Sequence, residues 1–294
     1  MPSERLPLKA ILLLLGLSLV WGTNLAVTKI GAREMAPVFM SGIRSVLACA
    51  CLAAWMKYKG IIFFPSRIIF FHGAVVGFIF AAEFGLIYLG LTLSLASHVS
   101  VILYTAPFFA ALGAHLFLPA DPLHFRKFSG LALAFAGVVL LFVKNLGQTS
   151  ATVLLGDLLV LGAGAFWGGA SVYVKKFLAG KAGAIQTLFY HLFFSGPLLL
   201  AYALVFEHPL VHDLSWVGVS SLLFQSVIVG VFSYLLWMRM IMTFPVSLLH
   251  AFSFFTPVFG VFISGALILG EPLGTNLLAA LVLVSLGLVL VNKP

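Results

Sequence analysis

The sequence predicts an all-α polytopic membrane protein: ten transmembrane helices forming a 5+5 inverted-topology repeat with a central cavity. Three observations lead there. Of 294 residues, 62% are hydrophobic and 8% charged, against about 25% charged in a soluble globular chain, so lipid must be the solvent for most of this surface. The apolar residues fall in runs of the ~20 that a helix needs to cross a bilayer, without the period-two alternation of a membrane barrel. The stretch from Ser97 to Leu123 also appears twice. Ser97, Tyr104, Pro107, Phe109, Asp121, Pro122 and Leu123 are answered 150 positions on by Ser247, Phe254, Pro257, Phe259, Glu271, Pro272 and Leu273.

Breaks at charges, prolines and glycines place the spans at 8–28, 37–57, 68–91, 96–117, 126–143, 154–176, 185–206, 215–238, 246–269 and 275–292. The first is a span and not a signal peptide, because its apolar run continues past Trp21 without an Ala-x-Ala type site. The third and fourth are divided on length, since residues 68–117 are far too long for one crossing and only Thr92, Ser94, Ser97 and His98 interrupt them. Cys49 and Cys51 diverge on one predicted helix and read as small buried residues, not a disulfide.

Lysine and arginine set the orientation. Twelve fall on the side of the N-terminus and three (Lys29, Arg33, Lys144) on the other, with Arg44 inside a span. Both termini are therefore expected in the cytoplasm, and the net charge of +8 reads as membrane orientation, not nucleic-acid binding. The echo extends to Gly137, Val139 and Leu140 against Gly287, Val289 and Leu290. At an offset of 146, Gly16, Trp21, Gly22 and Lys29 match Gly162, Trp167, Gly168 and Lys175. Residues 1–148 and 149–294 thus form two five-span repeats. Five is odd, so the second enters from the opposite face, an arrangement recurrent in secondary transporters, whose site lies near the midplane between the halves. The four-residue difference in offset is expected in the loop Glu207 to Asp213.

Trp21-Gly22-Thr23-Asn24 in helix 1, Pro37 and Phe39 followed by Arg44 in helix 2, Tyr104-Thr105-Ala106-Pro107 in helix 4 and Gly270-Glu271-Pro272 after helix 9 carry a resemblance over nearly the whole chain. The chain resembles the drug/metabolite transporter superfamily in its ten-helix EamA-like branch, and within it the exporters of aromatic and other neutral amino acids. The first half departs from the pattern, with Pro119-Ala120-Asp121 where a Gly-Glu pair is usual. The resemblance implies a central cavity formed by helices 1–4 and 6–9, with 5 and 10 peripheral, and export of a small molecule, an amino acid by the nearest likeness, across the inner (plasma) membrane by alternating access.

Charged groups at bilayer depth are costly and default to functional candidates. Arg44 and Glu83 both lie in the outer half of their helices, with His98 of helix 4 and Asn24 of helix 1. Two readings are open: a polar cluster that meets the ammonium and carboxylate of an amino acid, or an Arg44–Glu83 ion pair that locks helices 2 and 3. Glu83 is the one mid-membrane group suited to carry a proton, so any proton coupling rests on it. Pro107 and Pro257 each remove a backbone hydrogen bond at symmetric positions and are expected as hinges. Ser97, Ser100, Tyr104 and Pro107 share one face of helix 4; Ser247, His250, Phe254 and Pro257 share the equivalent face of helix 9. Ser100, Tyr104, His250 and Phe254 are accordingly candidate substrate contacts, with Trp21 and Trp167 as an aromatic wall. Helix 8 offers Ser226, Gly230, Ser233 and Trp237 on one face, plus Gln225 and Tyr234. His191 on helix 7 reads as a satisfied packing residue.

Enzymatic activity is not expected. There is no Gly-rich phosphate loop, the histidines are scattered, so neither a metal nor another cofactor is expected, and no Ser/His/Asp set shares a depth, since Asp157 and Asp213 sit at the outer edge and Asp121 at the inner. Transport of a cationic drug or another small metabolite on the same fold stays open, as does a membrane-embedded enzyme or structural subunit.

Overall fold

A computed structural model describes residues 6–143, 150–263 and 275–293. The helices are α1 (Leu8–Gly31), α2 (Pro37–Tyr58), α3 (Arg67–Leu93), α4 (Ala96–Phe117), α5 (Phe125–Phe142), α6 (Ala151–Phe177), α7 (Ala184–Phe206), α8 (Trp216–Thr243), α9 (Val246–Val261) and α10 (Thr275–Asn292). Among the described residues nine are long and apolar enough to cross a membrane, and α9 is the shorter tenth. The expected continuation of the ninth span to 269, the Gly270-Glu271-Pro272 turn and the 148/149 repeat boundary lie outside the described residues. The eighth span runs five residues beyond its expected end at 238. Cys49 and Cys51 are free, but Cys49 is half-buried and Cys51 exposed, so they are not the buried residues expected.

The helices pair as a two-fold axis would pair them. α1 packs on α8 and α9, while α6 packs on α3 and α4; α2 packs on α7 and α5 on α10. The last two pairs join repeat mates, and both are antiparallel. Near the start of α5, Gly130 meets Gly287 and Val291 of α10; two turns on, Gly137 meets Ala280 and Val284. Gly42 of α2 faces Leu200 of α7, and Gly196 faces Val46. Mates that cross head to tail require an axis perpendicular to the helices, which is what inversion of the second repeat means.

Glycine makes the tightest contacts possible, as in other membrane bundles where small residues let backbones approach. A Cβ on Gly22 would lie 2.8 Å from Gly260 N and 2.9 Å from Thr256 O; on Gly168 it would lie 2.7 Å from both Ala110 N and Ala106 O. Those neighbours are themselves 150 apart, so one contact is built twice.

The offset between repeats is not absorbed where the sequence suggested. It is 146 at the ends of α1 and α6 (Gly31, Phe177) and 150 at the ends of α3 and α8 (Leu93, Thr243). One residue enters in the α6–α7 connection, one in α7, one in the α7–α8 connection and one in α8. There the segment Phe224–Ser233 is π-helical, the form an α-helix takes when it accommodates an extra residue.

α4 and α9 are each interrupted just before Pro107 and Pro257, whereas α7 runs through Pro197 unbroken. α4 tightens to a 3-10 turn at Leu103–Thr105, and α9 breaks between Phe252 and Phe255. Thr105 Oγ1 donates to Ile102 O (2.7 Å) and Ser253 Oγ to His250 O (2.7 Å), taking up carbonyls at the breaks.

Leu6 N donates to Asn292 Oδ1, so the two ends of the chain share one end of the bundle, here the terminal end. At the far end the α1–α2 and α7–α8 connections interlock. Glu207 accepts from Val38 N (2.9 Å) and Phe39 N (2.8 Å), capping α2. Glu34 accepts from Ser215 N (2.8 Å) and Oγ (2.7 Å), capping α8. These donors, the Ser215 amide first, hold the Glu34 carboxyl below its usual value of 4.5. A depressed folded value means the contact stabilises above the ordinary glutamate pKa and is lost as pH falls through the lowered one. Hydrogen-exchange protection of the Ser215 and Gly218 amides is therefore expected to fall below about pH 4.5, and in Glu34→Gln that acid step should vanish; a step of the same size in the variant would contradict the assignment.

Candidate functional site

Between the repeats lies a small cavity with room for little more than a water molecule. α3 contributes Val76, Phe80 and Glu83, α6 Trp167, Ser171 and Val174, α7 His191, and α8 Tyr234, Trp237, Met238 and Ile241. Val76, Val174, Met238 and Ile241 make the side nearer the terminal end wholly apolar. α5 and α10 pair with each other and contribute nothing to the lining, but neither do α1, α2, α4 and α9, so of the eight helices expected around the cavity only α3, α6, α7 and α8 line it.

Aromatic rings form the wall. The Trp21 ring centroid is 5.2 Å from that of Trp237, 6.0 Å from Tyr234 and 6.3 Å from Trp167. Tyr104 stands 6.1 Å and His250 5.4 Å from Trp167, and His250 is 5.2 Å from Trp237. The wall is pinned by hydrogen bonds. Trp21 Nε1 donates to Ser233 Oγ (3.0 Å), which donates to Val229 O (2.7 Å). His250 Nε2 and Ser171 Oγ are 2.8 Å apart. Trp21, Tyr104, Trp167 and His250, proposed from separate helices, thus meet in one cluster.

Arg44 and Glu83 are 4% and 7% exposed. Among the described residues the ion pairs are His98–Asp157 and Lys127–Asp121, so the Arg44–Glu83 lock that the sequence left open is not formed. The Arg44 guanidinium carbon lies 4.9 Å from the Phe84 ring, a cation–π contact. Beside it Ser41 Oγ and Tyr88 Oη are 3.2 Å apart. Asn24 Oδ1, one turn along α1 from Trp21, is enclosed and accepts no hydrogen bond among the described residues.

Other candidates lie elsewhere. Ser100 donates to Ala96 O of its own helix (2.7 Å). Phe254 packs on Phe108 (6.4 Å) and Phe135 (6.3 Å), toward α5. His98 Nδ1 is 2.9 Å from Asp157 Oδ2, and Ser94 Oγ donates to the same carboxylate. This corrects the expectation that no Ser/His/Asp set shares a depth: α6 begins early enough to bring Asp157 beside the start of α4. The carboxylate sits between serine and histidine and serves both, so no imidazole is placed to take the serine proton. At the terminal end Asp121 accepts from Ser247 N (2.9 Å) and Oγ and from Lys127 Nζ (2.8 Å). The acid of one repeat's acid-Pro-Leu turn thereby caps the hinge helix of the other.

The sequence reading missed His191. Its ring is 4.1 Å from Phe80, and both nitrogens are buried without a partner among the described residues, at ~1–3 kcal/mol for each unpaired group. It is not a satisfied packing residue. Tyr234 and Trp237 were noted on α8 but given no role; their signal was a face mixing serine, glycine and aromatic residues. His208 and His212 lie in the α7–α8 connection, and among the described residues no group of three or more His, Cys, Asp or Glu could hold a metal.

Comparison with known proteins adds the lineage. The chain is 31% identical over 235 residues to an uncharacterized transporter of Archaeoglobus fulgidus, covering 76% of this chain and 78% of that one. It is 28% identical over 278 residues to a probable amino-acid metabolite efflux pump of Escherichia coli K12, with 90% and 89% covered. A solved crystal structure superposes with a TM-score of 0.81 at 20% identity, covering 96% of each chain, which establishes the shared fold. The EamA-like transporter family is matched twice, by residues 8–143 and by residues 154–293. With one match on each set of five helices, the chain belongs to the EamA-like transporter family and is a multi-pass membrane transporter of a small molecule.

Proposed function

We propose that the chain exports amino acids, aromatic and other neutral ones, from the cytoplasm across the inner membrane by alternating access. The observation that carries this reading is the two-sided cavity: Glu83 and His191 open into the same space as Trp167, Tyr234 and Trp237. A zwitterionic head and an apolar side chain call for that combination. In the conformation seen the space is far below the ~300–1,000 Å³ typical of small-molecule sites, so in this reading the repeats part before an amino acid enters. The name of the Escherichia coli relative, at 28% identity, points the same way.

In this reading residues 1–148 and 149–294 are the moving repeats, and the terminal end, rich in lysine and arginine, faces the cytoplasm. α4 and α9 flex at Pro107 and Pro257. Trp167 holds the side chain, backed by Trp21, Tyr104 and His250, and Glu83 meets the head group, with Asn24 and Arg44 behind the present lining. Glu83 is the cavity's carboxyl and the proposed proton carrier where flux is coupled to a gradient. An aromatic organic cation would also suit Glu83 and the tryptophans, but the buried charge of Arg44 opposes it.

Cells preloaded with labelled phenylalanine should lose it faster when they express the chain, and Trp167→Ala should return efflux to the empty-vector rate. Unaltered amino acid efflux, with accelerated loss of an aromatic cation, would move the assignment to drug export.

A further inference from the structure

Arg44, Phe84, Phe80 and His191 form a row of contacts from α2 through α3 to α7, with two phenyl rings between the guanidinium and the imidazole. The guanidinium lies 4.9 Å from the Phe84 ring, Phe84 is 4.5 Å from Phe80, and Phe80 is 4.1 Å from His191. His191 is 4% exposed, lines the cavity with Glu83, and has no partner for either ring nitrogen among the described residues. A neutral imidazole presents one donor and one acceptor. Enclosed in apolar surroundings with neither engaged, it is a group awaiting a ligand, since buried polar groups in folded chains are otherwise paired.

We propose that His191 is a specificity-determining residue: it reads the carboxylate of the transported amino acid, donating a ring N–H, while Glu83, on the same cavity, receives the ammonium. This rests on the amino-acid reading of the same cavity and sharpens it to a rule. An α-amino acid should be accepted and its decarboxylated amine rejected, because a site built to hydrogen-bond a substrate group discriminates strongly against the analogue that lacks it. The side chain rests against the tryptophan wall and is read only by shape, so the rule applies equally to phenylalanine, tryptophan and leucine.

The test uses the full-length protein in liposomes, with counterflow of labelled phenylalanine and competition by phenethylamine, which lacks the carboxylate. His191→Leu is expected to raise the KM for phenylalanine about 10- to 100-fold and to lower the preference for phenylalanine over phenethylamine by a similar factor. His191→Asn, which keeps a donor, should recover part of both. His191→Leu should melt at or above the wild-type temperature, because a leucine leaves no unpaired group. If His191→Leu fails to fold, the same preference ratio in His191→Asn and His191→Gln decides. Wild-type KM and preference in the folded variant would overturn the proposal while leaving amino acid export standing. Wild-type liposomes that move phenethylamine but no amino acid would overturn both.

Discussion

Gly168→Leu is expected to destabilise the folded protein by ~3 kcal/mol, the upper end for overpacking a well-filled contact, and Gly22→Leu by a similar amount. The new Cβ would stand 2.7 Å from Ala106 O and Ala110 N in the first case, and 2.8 Å from Gly260 N and 2.9 Å from Thr256 O in the second. These are backbone atoms, so no side chain can turn aside and the helices must part. α6 would lift from α4, or α1 from α9, and the tryptophans next to both glycines would lose their places in the wall. The thermal midpoint in detergent should drop by several degrees, with loss of monodisperse protein. Gly169→Leu and Gly16→Leu serve as controls: nothing lies within 4 Å of a Cβ at either site, so each should melt within ~0.5 kcal/mol of wild type. Equal losses at Gly168 and Gly169 would contradict the contact.

Glu83→Gln should leave the melt unchanged or raised and remove most transport. The change keeps shape and a hydrogen-bonding end but deletes the charge that meets an ammonium. A hydrogen bond to a charged group is worth about 1.5–3 kcal/mol, which is roughly a 10- to 100-fold rise in KM. The fold has little stake in the charge, because among the described residues Glu83 is joined to Arg44 by no ion pair and removing such a buried carboxylate relieves a desolvation penalty. Comparing the variant with wild type under an imposed pH gradient also reads the proton role. Gradient-driven flux in wild type that becomes indifferent to the gradient in Glu83→Gln places the proton there. Gradient-indifferent flux in wild type removes Glu83 as a carrier.

The ten spans were legible because lipid imposes length and apolarity on any helix that crosses it. The repeat was legible because contact geometry is conserved between its copies. Trp21-Gly22 and Trp167-Gly168 match because each glycine docks on the equivalent backbone of the opposite hinge helix. Side-chain partners across helices were harder to see. Asp121 and Ser247 both stood out in the repeated motif, yet nothing in the chain said that the acid of one copy would cap the helix of the other. Asp157 looked like an edge residue until α6 proved to begin at Ala151, bringing it beside His98. Phe254 shares a helical face with His250 by spacing, but the break between Phe252 and Phe255 turns it toward α5. His191 looked inert because a lone histidine usually finds a partner, and only the packed bundle reveals that this one has none among the described residues. The helix faces are set by neighbouring helices and not by the sequence of the helix itself.

The most direct measurement is counterflow of labelled phenylalanine into liposomes that hold only the purified protein. Uptake that saturates, competes with unlabelled aromatic and neutral amino acids, and disappears in Trp167→Ala is the predicted result. Uptake no greater than in protein-free liposomes for every amino acid, from protein that remains folded and monodisperse, would contradict the account.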